Sequence, residues 1–358
     1  VSTAATARPG FLAIELDGAG WDGAGSGTLA AAVLAVESAG FHVATFKDAP
    51  EAGRANALQR AAFAGPVTRS IALVPEVDTV YTEPFHVSTQ LASLDYVSGG
   101  RAGWIATATE SPAAAAAVGR RSVTGEGLAK EASAAIEVSR RLWDSWEDDA
   151  VIRDVATGRY IDVDKLHYVD FTAPEEAGPG YSIKGPSIIP RPLQGQLPVI
   201  APLGLLGSGL VDDAAVDAVL VTAPTPELLT AEVRDARSRL RTGVAIIAEL
   251  DVVLDSRGLA AADRPAPADS GRALFTGSAA GLAALLAPIL AVADGVRLHP
   301  ASFDVELDEL SRVVLPELRR SGALRAPLQD ATFRDLLGLD RPASRYADAA
   351  ATAIAAAE

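Results

Sequence analysis

The chain has 358 residues, room for two domains or one large α/β barrel at about 150 residues per domain. An apolar fraction of 49% and a charged fraction of 22% describe a globular chain with a large core and exclude disorder for the bulk. A formal charge of -15 repels phosphate backbones and anionic lipid, which excludes nucleic acid and membrane as partners, and the lack of Cys excludes disulfides, thiolate metal sites and a cysteine nucleophile.

The first ten residues, VSTAATARPG, are short and polar and lead straight into an expected strand, so they read as no apolar leader and a cytoplasmic location is expected. Short β-branched runs then alternate with Ala/Leu-rich helical runs to the end of the chain. The predicted strands are FLAIEL (from Phe11), FHVATF (from Phe41), SIALVPEV (from Ser70), AGWIATAT (from Ala102), LPVIAPLG (from Leu197), AVLVTAP (from Ala218), VAIIAELDVVL (from Val244) and GVRLHPA (from Gly295). Each is followed by a predicted helix: TLAAAVLAVESAG, ANALQRAAFAG, PFHVSTQLASLDYVSG, LAKEASAAIEVSRRLWDSW, a weak VDDAAVDA, TPELLTAEVRDARSRLRTG, SAAGLAALLAPILAVA and DELSRVVLPELRRSG. Gly40, Gly65, Gly99 and Gly243 stand where left-handed helix caps are expected. The stretch from Ser278 to Ala293 contains Gly281 and Pro288 and is too short to span a bilayer.

Near-continuous apolar strands in eightfold βα alternation predict a parallel (β/α)8 barrel, with the doubly wound open sheet as its competitor. Such a barrel uses about 250 residues. The excess falls in an excursion over residues 148–195, before the fifth strand, and in a C-terminal tail over 323–358. The expected organisation is therefore one barrel domain over 1–358 carrying these two additions.

Four local patterns are candidates for chemistry. Gly18-Ala19-Gly20-Trp21-Asp22-Gly23, with Asp48 after the next strand, has dinucleotide-fingerprint spacing, but the helix is expected to start near Thr28, too late to aim its amides at a pyrophosphate. Asp78 to His86 lies at the end of the third strand, on the face where βα loops build barrel sites; there Thr79 and Tyr81 offer hydroxyls, while capping alone accounts for Glu83 and Pro84. Ser98 to Trp104 reads as a glycine turn into the fourth strand. Trp143 and Trp146 are expected to share a helix face in the core or a subunit interface, with a solvated acidic end beyond them. His167 and Asp170 are too few for a metal site.

Taken in order, TVYTEPFHVSTQLASLDYVSGGRAGW (Thr79 to Trp104), RRLWDSWEDDAVIRDVATGRYIDVDKLHYVDF (Arg140 to Phe171), YSIKGPSIIPRPLQGQLPVI (Tyr181 to Ile200) and LPELRRSGALRAPLQDATFRDLLGLDRP (Leu315 to Pro342) resemble the bacterial-luciferase-like flavin monooxygenases. The similarity is to the branch of nitrilotriacetate, dibenzothiophene-sulfone and long-chain-alkane monooxygenases. The resemblance implies a (β/α)8 barrel and reduced FMN supplied by a separate flavin reductase. It also implies dioxygen and a small organic substrate as reactants, and a homodimer or tetramer. It assigns cofactor contacts to Asp48, Thr79, Tyr81, His86, Trp104, Thr107 and Gly204, and leaves the catalytic residues unassigned and metal absent.

This sequence departs from the family pattern at several of its contacts. Ile105 stands where the family has an Asn, and the DGAGWDGAGSG loop lacks the family's His. Ala129 replaces a phosphate-binding Tyr, and Leu205 and Leu206 follow Gly204 in place of a small-residue turn. Each lost charge-assisted hydrogen bond is worth about 1.5–3 kcal/mol. Two other readings stay open at this point: a flavin-free barrel acting as a binding or partner subunit, and a deazaflavin or nicotinamide oxidoreductase.

Overall fold

Eight parallel strands make the wall of the fold in a computed structural model that describes residues 8–17, 26–48, 55–173, 180–207, 209, 211–265 and 267–347. They are β1 (Phe11–Glu15), β2 (Val43–Phe46), β3 (Ala72–Asp78), β4 (Trp104–Thr107), β5 (Val199–Pro202), β6 (Ala218–Val221), β7 (Ala245–Leu254) and β8 (Gly295–Pro300). Their order is β6-β5-β4-β3-β2-β1-β8-β7, and β6 also pairs with β7, so the sheet closes on itself as a (β/α)8 barrel. Seven lie inside the runs expected from the sequence, and β3 runs one residue past its own, to Asp78. The strands β1, β2, β6, β7 and β8 are buried along their whole length, as a sheet wrapped in helices requires.

The helices follow local rules. α1 (Ser26–Ala39), α2 (Ala57–Ala64) and α3 (Pro84–Ser98) follow the first three strands. In α3, Pro84 occupies the first turn and Glu83 caps the amides of Phe85 and His86, while Gly99 closes the helix at φ 68, a left-handed conformation that a side chain would strain. α4 (Glu126–Asp144) follows β4 after the short helix Pro112–Ala117. No described helix is long and apolar enough to cross a membrane.

The structure corrects five sequence expectations. Gly65 is right-handed (φ -49), so it caps α2 without the special conformation expected of it. Gly243 lies beyond the cap at Leu240 and turns the chain into β7 instead. The weak helix VDDAAVDA is reduced to a single 3-10 turn, Asp213–Ala215, because a few residues among acids cannot propagate a helix, and a four-residue helix, Leu203–Leu206, begins where the expected fifth strand ends. Trp146 falls past the end of α4, although both tryptophans are buried: Trp143 donates to the Ser88 carbonyl and Trp146 to that of Ser187. An additional strand, Ala273–Gly277, pairs with the far half of β7.

The chain divides into two compact units, Val1–Glu76 with Val216–Ala331, and Val77–Ala215 with Thr332–Glu358. In the second unit, residues after α4 form the hairpins Val151–Asp154/Arg159–Ile161 and Phe171–Thr172/Ser182–Ile183. The latter packs Phe171 and Ile183 onto Ala134, Val138 and Leu142 of α4. A five-residue helix, Phe333–Leu337, carries a capping box from Thr332 and Asp335.

Candidate functional site

In the second unit, the end of β3 is shaped by Asp78, whose carboxylate accepts the amides of Val80 (3.0 Å) and Tyr81 (2.6 Å) and so turns the chain toward α3. Thr79 is buried, and both its amide (2.8 Å) and its hydroxyl (2.9 Å) donate to the carbonyl of Thr107 at the end of β4. The Tyr81 hydroxyl accepts from the Val123 amide at 3.0 Å. His86 is exposed on α3 and accepts from the Gln90 amide at 2.8 Å. Trp104 is buried and donates its indole N–H to the Val77 carbonyl. Gly204 is exposed, and a Cβ added there would meet nothing within 4 Å.

The same unit holds three groups not anticipated from the sequence. Arg120 bridges the Val80 carbonyl and the buried Glu131, 2.7 Å away. The Tyr181 hydroxyl is buried and has no hydrogen-bond partner among the described residues. Burial, with the nearby charge of Glu131, pushes that phenol well above its ordinary range.

In the first unit, Asp48 follows β2. It is half-buried, and its Oδ1 is buried with no hydrogen-bond partner among the described residues. A carboxylate oxygen in that state favours a ligand N–H. Asp17, just beyond β1, pairs with Arg60 of α2 and accepts the Lys47 amide at 2.6 Å. The Gly18–Gly23 pattern lies outside the described residues.

The same unit carries a buried ionic cluster. Arg297 of β8 donates to Thr45 of β2 (2.9 Å), Glu249 of β7 (3.1 Å) and Glu76 of β3, with Glu15 of β1 at 3.7 Å. Two residues on, His299 places Nδ1 2.5 Å from Glu15 and Nε2 3.0 Å from Glu249. Burial alone would raise both glutamates, but the His299 hydrogen bonds and the Arg297 and His299 charges prevail. Glu15 is held at about 2 and Glu249 is lowered. For His299, burial and the Arg297 charge work against protonation, and the two carboxylates overcome them, so its pKa is raised. The only sequence signal was a few charged residues set in apolar strands, one in β1 and two each in β3 and β7, with Arg297 and His299 in β8; within a strand, period two puts such residues on one face.

Residues 11–333 match the family described as luciferase-like monooxygenase. The chain belongs to that family. It is 37% identical over 158 residues to N-acetyl-S-(2-succino)cysteine monooxygenase of Bacillus subtilis (strain 168), covering 44% of this chain and 34% of that protein. The chain thus spans about a third of the length of that curated relative. Among solved structures, long-chain alkane monooxygenase superposes with a TM-score of 0.77 at 17% identity, over 93% of this chain and 96% of that one. Riboflavin lyase with modified FMN and riboflavin superposes with a TM-score of 0.76 at 19% identity, over 95% and 98%. These likenesses establish the barrel. The alkane enzyme stands in the branch that the sequence strings pointed to.

Proposed function

We propose that this chain is a reduced-flavin-dependent monooxygenase that acts on a small organic substrate at the C-terminal ends of its barrel strands. The observation that carries this reading is Asp48: its Oδ1 is buried and lacks a partner among the described residues of a chain whose family oxygenates organic molecules. A riboflavin-lyase structure of the same fold contains modified FMN.

In this reading Asp48 would accept a hydrogen bond from reduced FMN through its unpartnered Oδ1. Thr79 and Thr107 fix the ends of β3 and β4, Tyr81 and His86 line the approach along α3, Trp104 supports the strand ends, and Gly204 leaves space after β5. Reduced FMN, when bound, supplies the electrons and activates dioxygen, and the protein binds, orients and excludes water. A separate flavin reductase delivers it. The working protein is a homodimer or tetramer in the cytoplasm, and the chain acts as one barrel domain with additions at 148–195 and 323–358.

Fluorescence titration with FMN, first oxidised and then reduced under anaerobic conditions, tests the reading. Binding of the reduced form is expected, and Asp48→Asn weakens it by about tenfold or more, the worth of one charge-assisted hydrogen bond. Failure of the wild type to bind either redox form would overturn the proposal and favour a barrel without flavin.

A further inference from the structure

We propose that His299, clamped between Glu15 and Glu249, holds the proton that oxidation of bound reduced flavin by dioxygen consumes. The inference rests on the flavin reading above. Barrel interiors of this class are normally filled by branched aliphatic layers. Here β1, β2, β3, β7 and β8 each turn a polar side chain toward one point: Glu15, Thr45, Glu76, Glu249, and Arg297 with His299. A buried ionic cluster is no better for stability than well-packed apolar residues of the same volume, so packing does not account for it.

Geometry fixes the protonation state. A neutral imidazole has one N–H and one lone pair, yet both ring nitrogens of His299 face carboxylate oxygens, at 2.5 and 3.0 Å. With a single N–H, the lone pair would oppose one of those carboxylates. Two N–H groups satisfy both. The charge count agrees, since Glu15, Glu76 and Glu249 face a single guanidinium, and protonated His299 supplies the second cation. Other charges acting here are Lys47 and Asp17, near Glu15, and Arg272, near Glu249; Asp17 is paired with Arg60 of α2 and Arg272 with Asp251 of β7.

The cluster also lies at the appropriate end of the barrel. Glu15 is the last residue of β1 and His299 the penultimate residue of β8, at the strand ends where barrels of this class carry their sites. The chemistry needs one proton. Anionic reduced flavin, dioxygen and a proton give oxidised flavin and hydrogen peroxide; with an organic substrate present, they give oxidised flavin, the oxygenated substrate and water. In both cases the flavin loses a hydride equivalent and dioxygen gains two electrons from it. The proton leaves His299 Nδ1 through Glu15, and solvent restores it between turnovers. His299 is thus a positioning and proton-holding residue.

Two measurements on the full-length protein test this. The first is histidine-ring NMR without flavin, with His299→Gln assigning the signal. It should show the His299 ring as imidazolium at about pH 7, where a free imidazole, with pKa ~6.5, is mostly neutral. A neutral ring overturns the proposal. The second is reoxidation of protein-bound reduced FMN in aerated buffer, followed by the return of flavin absorbance. The wild-type rate should stay nearly flat between about pH 6 and pH 8, whereas His299→Gln should lose about tenfold per pH unit as solvent becomes the proton source. Parallel profiles overturn the proposal.

Should His299→Gln fail to fold, Glu249→Gln, which removes one side of the clamp, is expected to steepen the profile in the same sense. A wild type that binds no reduced FMN overturns the flavin reading and this role together. A wild type that binds it but holds a neutral His299 overturns this role alone.

Discussion

In the unit containing β1 and β8, Glu15 is buried against His299 and Arg297 and held at about 2, whereas in the other unit Asp95 of α3 is fully buried against the neutral donors of Gln194, Ala102 and Leu193. Asp95 accepts the Gln194 side chain at 2.6 Å and the Gln194 amide at 3.1 Å, and burial outweighs these bonds to raise it to about 6. Gln194 also donates to the Ala102 carbonyl and accepts the Arg334 amide, so one neutral side chain ties α3, the approach to β4 and the helix Phe333–Leu337 together. Similar depth thus gives opposite pKa directions. For these two the partners make the difference, whereas burial prevails even beside a guanidinium at Asp17, paired with Arg60, and at Glu131, paired with Arg120, both of which are raised.

The strongest way to break the comparison is Arg297→Met, which strands Glu15, Glu76 and Glu249 without their guanidinium. Urea unfolding should show a loss of about 3–5 kcal/mol. Gln194→Ala removes neutral donors only and should cost about 1–3 kcal/mol at neutral pH. If the two losses were equal, the distinction between charged and neutral partners would fail.

Stability against pH separates the units more finely. Asp95 rises from 3.8 to about 6 on folding, so its contribution is complete below pH 3.8 and is lost as pH climbs through about 6. Glu15 falls from 4.5 to about 2, so its contribution is present above pH 4.5 and is lost as pH drops toward about 2. Asp95→Asn should flatten the decline in stability between those Asp95 values, removing a slope of up to about 1.4 kcal/mol per pH unit, and should leave the acid limb in place. Thermal melting across pH reads both. Smaller effects lie on the surface: Thr332→Ala, which removes a helix cap, should cost about 1 kcal/mol in a melt. Arg320→Ala, which breaks an exposed pair with Glu317, should cost at most ~1 kcal/mol.

The barrel was legible because each of its strands is a short apolar run bounded by helix-forming sequence, and because Pro84 and Gly99 mark the two ends of α3 in chemical terms. Gly65 misled because a glycine after a helix is permitted, not required, to be left-handed. The stretch after β5 misled because VDDAAVDA holds too few apolar residues to propagate a helix, and because Leu203–Leu206 is too short for helical periodicity to register against the strand run before it. Thr79 and Tyr81 were visible through a family string and Asp48 only as a position carried over from the family, but the partners that occupy Thr79 and Tyr81, the Thr107 carbonyl and the Val123 amide, come from other elements. The ionic cluster was not legible. Arg297 and Glu15 are 282 positions apart in the numbering and meet only when β8 pairs with β1, and a solitary charge in an apolar strand carries no label saying what it will face.

Strand β7 is ten residues long, whereas its neighbour β6 has four, and its last part pairs with Ala273–Gly277 instead. A closed sheet leaves no rim for another chain to add to. By outrunning β6, β7 opens such a rim, and the short strand Ala273–Gly277 covers it. Loss of that cover would turn a self-contained ring into a template for intermolecular strand addition. These five residues keep the backbone groups of the longer strand paired where β6 no longer reaches it.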